Sequence, residues 1–409
     1  HHLVMDHTSL DIVFDEAATI ARGGGAELPA SVPFRDYIWQ ARINADRQAQ
    51  TAFFTRMLAD IDQPTAPFGL TDMNDTARGL DEHRRDLPAA LCLELRERAR
   101  ALGVGAATMM HLAWAMMLAR ATGMDRVVFG TVLFGRMDSG QDSDRALGLF
   151  INTLPVRIDL GGIGAAEAVK RTQAALAELL SYEHTSLAVA QRCSGVPAAT
   201  PLFTSIFNYR YSGDTGAALG DAIVQDIEGG ERTNFPLALS VDDYGDTFGL
   251  VVQAMRHVGA ERVCDFMQAA LEGLVHALRN DPTSRVDAID VLPTAERERI
   301  LVGWNDTARD YPRDLCVHRL FEDRAAQSPQ ALALMRGEET LSYAELNTRA
   351  NRLAHHLIAM GVAPGQRIAI CVERSVAMVV AVLAVLKAGA AYLPLDPDYP
   401  RERLAYQLG

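Results

Sequence analysis

The first seven residues, His1-His2-Leu3-Val4-Met5-Asp6-His7, bring three imidazoles and a carboxylate together at one end of the chain. An imidazole that titrates near neutrality can take a proton from an attacking nucleophile, and a neighbouring carboxylate can hold a loop or fix a tautomer. Other uses fit the same atoms. His2, Asp6 and His7 have the ligand types of a metal site, although no further ligand stands close by, and His1-His2 also has the form of an affinity-tag tail. Directly afterwards Leu10, Val13, Phe14, Ala17 and Ile20 recur at helical spacing until Gly23-Gly24-Gly25. The pattern therefore predicts a helix over 9–21, with the His cluster on the loop that leads into it.

The elements that must position this loop follow from the rest of the pattern. Helical periodicity runs over 34–60, with Tyr37, Ile38, Ala41, Phe53, Met57 and Leu58 as expected core residues, and Pro64 and Pro67 break it. Residues 90–121 predict two helices split at Gly103 and Gly105, the second with a thick apolar face of Met109, Leu112, Ala113, Met116 and Met117. Strands are predicted over 127–134 and 149–158, joined by a polar loop at 136–145, and over 202–211, 223–227, 237–241 and 248–255. Helices are predicted over 165–180 and 261–279. Over 292–313 the pattern dissolves into Pro, Asp, Asn, Arg and Glu, which predicts an interdomain linker. A second unit then alternates helix (318–327), short strands near Leu332 and Leu341, helix (344–360), strand (367–372), helix (375–387) and strand (390–395), the pattern of an open, largely parallel sheet.

Composition narrows the function classes. With 409 residues, 49% hydrophobic and 22% charged, the chain has material for two or three folded units. A net charge of −13 argues against nucleic acid, which needs a dense basic face. Five scattered cysteines with no CxxC spacing predict neither a disulfide framework nor a zinc site. The longest apolar runs fall short of a membrane span and no signal peptide opens the chain, so no membrane association is expected and the expected compartment is the cytoplasm. The chain starts at a His, as a segment cut from a longer protein would.

The opening HHLVMDH resembles the HHxxxD motif of condensation domains of nonribosomal peptide synthetases. Further segments resemble that family in its order: Phe34-Arg35-Asp36-Tyr37-Ile38-Trp39, then Leu147-Gly148-Leu149-Phe150-Ile151-Asn152-Thr153-Leu154-Pro155-Val156-Arg157, then Pro201-Leu202-Phe203 running into Phe207-Asn208-Tyr209. Leu341-Ser342-Tyr343-Ala344-Glu345-Leu346 and Leu386-Lys387-Ala388-Gly389-Ala390-Ala391-Tyr392-Leu393-Pro394-Leu395-Asp396 resemble two early motifs of the synthetases' adenylation domains. Trp304-Asn305-Asp306-Thr307 and Tyr311-Pro312 resemble the usual junction between them.

The resemblance implies an α/β fold: the second chloramphenicol acetyltransferase-like lobe of a condensation domain with a remnant of the first (1–295), a linker (296–315), and the start of an acyl-CoA synthetase-like adenylation domain (316–409). It implies that His2 is catalytic, that His1 and Asp6 support the motif, that His7 is a variant of the family's glycine, and that Asn152 and Arg157 border a substrate tunnel. Two thioesters, carried on the 4′-phosphopantetheine arms of upstream and downstream peptidyl carrier domains, would meet at His2 and leave as an amide. The stretch itself is expected to bind no cofactor or metal; ATP and Mg²⁺ would serve the complete adenylation domain, whose Ser/Thr/Gly/Lys phosphate loop is not found in 316–409. With most of the first lobe outside the sequence, Val13, Phe14 and Ile20 would lose packing partners, and this stretch alone is expected to be inactive. Epimerising or other acyl-transfer relatives share the motif, and a carrier-docking unit without catalysis is a further alternative.

Overall fold

The structure, a computed structural model, describes residues 4–43, 45–72, 79–135, 145–211 and 233–409. The chain divides into two compact units, His1–Asn305 and Asp306–Gly409.

In the first unit α1 (His7–Ala21), α2 (Phe34–Ile43) and α3 (Arg47–Leu58) precede β1 (Leu80–Asp86), α4 (Ala89–Leu102), α5 (Ala106–Thr122), β2 (Arg126–Leu133) and β3 (Asn152–Asp159). Then come α6 (Ala165–Leu180), α7 (Leu187–Arg192), β4 (Ser205–Tyr211), β5 (Leu237–Asp243), β6 (Phe248–Met255), α8 (Ala260–Asn280) and α9 (Thr294–Glu298). The six strands form one mixed sheet in the order β1-β6-β5-β4-β2-β3, with β2, β4 and β5 parallel to one another.

Alternation along the strands divides the sheet into two faces. Val127 and Phe129, Phe207, Leu237 and Leu239, and Leu250 and Val252 are buried on the face that packs against α4, α5, α6 and α8. α5 supplies the centre of this core: Met109 to Leu118 are all buried, Trp114 among them, because the helix lies between the sheet and α8. Gly103 and Gly123 end α4 and α5 in the left-handed region at φ 69° and 71°, where a side chain would be strained.

Several expectations are corrected, and others fall outside the described residues. The helical pattern of 34–60 breaks before Arg47: the Asp46 side chain accepts from the amides of Gln48 and Ala49, both at 2.9 Å, and so starts a new helix, α3. Ile38, expected in the core, is exposed. Strand β1 and the short α7 carry too little apolar periodicity to be predicted; β1 is an edge strand whose charged side chains suit an open edge. Residues 294–303, expected to begin an irregular linker, are helical, α9 followed by one wide turn. The predicted strand at 223–227 and the loop at 136–144 lie outside the described residues.

The second unit contains α10 (Val317–Gln327), an antiparallel pair β7 (Leu332–Arg336) and β8 (Glu339–Ser342), α11 (Tyr343–Ala359), β9 (Arg367–Cys371), α12 (Val376–Lys387), β10 (Ala391–Leu395) and α13 (Arg401–Leu408). β9 and β10 pair in parallel, residue for residue from Arg367 opposite Ala391 to Cys371 opposite Leu395. Gly389, at φ 78°, makes the turn from α12 towards β10 and packs against Pro364.

Candidate active site

The His-rich motif enters the described structure at Val4; His1 and His2 lie outside the described residues. What the structure does describe is how the loop behind them is held. Asp6 is buried and caps α1, its Oδ1 accepting from the Ser9 amide at 2.8 Å. Its Oδ2 accepts from the Phe150 amide at 3.4 Å, and its own backbone N–H donates to the Gly148 carbonyl at 3.2 Å. Ser9, also buried, completes the tie: its hydroxyl donates to the Gly148 carbonyl at 2.9 Å and accepts from the Gly148 amide at 3.0 Å. A carboxylate that accepts from two amides is fixed in place.

Three segments quoted from the sequence converge here. Gly148 has no Cβ because an atom there would lie 2.1 Å from the Phe34 ring. The ring of Phe34 packs edge-on against Phe150, with centroids 5.1 Å apart, and stacks on Tyr37 at 5.3 Å. Tyr37 packs in turn on Phe150 at 4.4 Å, and its hydroxyl lies 3.2 Å from Nδ1 of His184. Sequence reasoning missed Ser9 and His184. Ser9 stands three residues after Asp6, a capping spacing that could have shown it; nothing in the pattern around His184 marks it.

Asn152 and Arg157, five residues apart on β3, fall on opposite faces of the sheet and do not come together. The Asn152 amide donates to the carbonyls of Glu183 at 2.6 Å and Thr185 at 2.7 Å, which holds the segment after α6 against the start of β3. Arg157 clamps the outer strand to the end of α3: it donates to the Met57 carbonyl at 2.9 Å, to Asp60 at 2.5 Å and to both carboxylate oxygens of Asp159 at 2.8 and 2.9 Å. The hydrogen bond from Arg157 holds the Asp60 carboxyl below the ordinary carboxylate range, against the opposing effect of desolvation.

A further imidazole lies away from this loop. His111, on α5, is fully enclosed between Phe207 and Phe129. Its Nδ1 lies 2.7 Å from the Ala107 carbonyl and its Nε2 2.8 Å from the Thr131 hydroxyl. A carbonyl only accepts, so Nδ1 carries the proton and Nε2 accepts from Thr131. Burial pushes this imidazole down to about 4, and it stays neutral. Among the described residues, no cluster of three His, Cys, Asp or Glu side chains is placed to hold a metal ion, and no single helix is long and apolar enough to cross a membrane.

A helix-backed mixed sheet, with the segment that opens α1 tied to one of its connections through a buried aspartate, defines an α/β domain. The chain belongs to the condensation-domain family: the family's sequence model, described as "Condensation domain", matches residues 1–301, and that described as "AMP-binding enzyme" matches residues 321–409. Malpinin synthetase of Mortierella alpina is 46% identical over 407 residues, covering 99% of this chain and 5% of that protein. Bacitracin synthase 3 of Bacillus licheniformis is 31% identical over 423 residues, covering 100% of this chain and 6% of that protein. The chain thus spans less than a tenth of the length of these relatives. Among solved structures, a four-domain nonribosomal peptide synthetase bound to AMP and glycine matches 99% of this chain and 32% of its own at TM-score 0.69 and 18% identity. The first condensation domain of the calcium-dependent antibiotic synthetase matches 71% of this chain and 67% of its own at TM-score 0.54 and 19% identity. The fold of both units is therefore that of a peptide-synthetase condensation domain followed by the opening part of an adenylation domain.

Proposed function

We propose that residues 1–295 form the amide-making site of a peptide synthetase, that 296–315 link it to the next domain, and that 316–409 open the adenylation domain. The donor is an acyl or peptidyl thioester and the acceptor an aminoacyl thioester, each on the phosphopantetheine arm of a carrier domain. The observation that supports this reading is the buried Asp6 anchor, which ties the end of the HHLVMD segment to the Gly148–Phe150 connection.

An amine of pKa about 8 is mostly ammonium at neutral pH, so amide formation must shed a proton as the carbon–nitrogen bond closes. In this reading His2 takes that proton or orients the amine, a contribution of roughly 10²- to 10⁴-fold. His1 and Asp6 act on the loop. Asn152 and Arg157 hold the strand that borders the substrates, which their hydrogen bonds to backbone and carboxylates support. Bringing two tethered groups into attack geometry adds up to about 7–11 kcal/mol, so positioning outweighs proton transfer. ATP and Mg²⁺ belong to the adenylation reaction of the complete domain; residues 316–409 contribute scaffold to it. The site of action is the cytoplasm.

The test is single-turnover peptide formation by the synthetase module that contains this segment, with donor and acceptor carriers loaded. His2→Ala is expected to cut the rate at least 100-fold while both carriers stay loaded. Full-speed condensation by that variant would overturn the assignment.

A further inference from the structure

The face of the six-stranded sheet turned away from the helices carries a polar row. On β4 it presents Ile206, Asn208 and Arg210; opposite them on β5 stand Ala238, Ser240 and Asp242; and on β6 stand Gln253, Val251 and Gly249. Most of the polar groups in this row are engaged with one another. Arg210 donates to both oxygens of Asp242, at 2.6 and 3.1 Å, the Tyr244 hydroxyl reaches Asp242 at 3.4 Å, and Gln253 donates to Glu82 at 2.8 Å.

Asn208 and Ser240 differ. They face each other directly across the parallel pair, both half-buried, and neither side chain has a hydrogen-bond partner among the described residues. Oδ1 of Asn208 is buried from solvent and still unpaired. A buried carboxamide oxygen without a donor is costly, so such a group in a folded protein calls for an explanation.

Position supplies one. Extending the β2–β4 register by one residue sets Asn208 beside Val132, which pairs with Thr153 on β3. Two strand spacings, about 10 Å, separate Asn208 from Thr153. Thr153 is three residues from Phe150, whose amide holds Asp6. The unpaired carboxamide thus lies on the sheet a short span from the anchor of the His loop. The chemistry of the pair is also specific. Arg210 is neutralised by Asp242, so the row offers no free charge for a phosphate. A carboxamide beside a hydroxyl matches instead a secondary amide, its N–H donating to Asn208 and its carbonyl accepting from Ser240.

We infer that Asn208, with Ser240 beside it, binds a secondary amide of the thioester-linked substrate and so aligns the thioester for attack. This inference rests on the amide-forming reading above. Such an amide belongs either to the acyl chain or to the pantetheine arm.

The experiment uses the whole module with a dipeptidyl donor on its carrier, in three forms: unmodified, with the internal peptide amide replaced by an ester, and with the arm amide nearest the sulfur replaced by an ester. Asn208→Ala is expected to lower kcat/KM about 3- to 15-fold for the unmodified donor. The loss should shrink to less than 2-fold with one of the two esters, and which ester does so names the source of the amide. An equal loss with all three donors makes Asn208 a purely structural residue and overturns the inference, as does no loss at all. Ser240→Ala, a smaller change, follows the same pattern if the inference holds and provides the test should Asn208→Ala fail to fold. His2→Ala is run alongside. If it is inactive while both sheet variants match wild type, this inference alone fails; if it is fully active, the amide-forming reading fails.

Discussion

The two units are tied together in different ways. In the first unit one continuous core runs from Phe53 to Val291, and its site depends on residues far apart in sequence: Ser9 meets Gly148, and Asp6 meets Phe150. In the second unit the buried apolar residues form two small groups, around Leu341, Leu346 and Val376 and around Ile370, Val385 and Ala390. Beside the buried side chain of Lys387, which donates to Glu322 and, at 2.8 Å, to Asn347, it has a local polar tie, the capping box between Ser342 and Glu345 at the start of α11. Long-range ties are made only after the intervening chain has paid its closure entropy, whereas a cap forms with its own helix. The first unit should therefore open as a block, and the second should fray element by element.

The largest effect expected of this contrast is a pH dependence in the first unit. His111 has a native value of about 4, against an ordinary 6.5 when unfolded. Below 6.5 the unfolded chain takes up a proton that the native imidazole refuses. The stability from this site is thus whole above pH 6.5, declines as pH falls towards 4, and levels off below that, a loss of about 3 kcal/mol. Urea unfolding followed through the buried Trp114 should show it, and His111→Gln should flatten the difference between pH 7 and pH 4.5. An unchanged slope in the variant would remove His111 from the account. The next effect is steric. In Gly148→Ala the new methyl would fall on the Phe34 ring, so a cost of about 2 kcal/mol is expected, together, if the proposed function holds, with slower peptide formation by the whole module. If stability fell while the rate per folded molecule held, the anchor would be scaffold without influence on the motif loop.

The same contrast governs what the sequence made legible. Helix 165–180 and strand 248–255 were placed to the residue because periodicity 3.6 and a buried apolar run announce themselves locally. Strand β1, Leu-Asp-Glu-His-Arg-Arg-Asp, did not, because an edge strand is defined by pairing with β6 rather than by its own composition. Break points such as Asp46 compete with an uninterrupted helical pattern and win only through a side-chain cap. The motif segments around Asp6, Phe34 and Gly148 were recognisable one by one, yet their meeting point depends on contacts across more than a hundred residues. The separation of Asn152 from Arg157 was readable: an odd spacing on a strand sends side chains to opposite faces. The role of Asn208 was not, because an unpaired carboxamide is a property of its surroundings.

The smallest effect belongs to the second unit and tests the local side of the comparison. Ser342 accepts from the Glu345 amide at 3.3 Å, and Glu345 accepts in return from the Ser342 amide at 2.8 Å. The bond from the Ser342 amide, joined by one from the Ser342 hydroxyl at 2.8 Å, holds the Glu345 carboxyl below its ordinary value, so the box stays intact until acid reaches that lowered range. Ser342→Ala removes one half of the exchange and should cost about 1 kcal/mol. Hydrogen exchange should then quicken in the first turn of α11 while β1–β6 of the first unit keep their protection. If instead protection fell throughout both units, they would be one cooperative block, and the distinction between long-range and local ties would not describe how this chain opens.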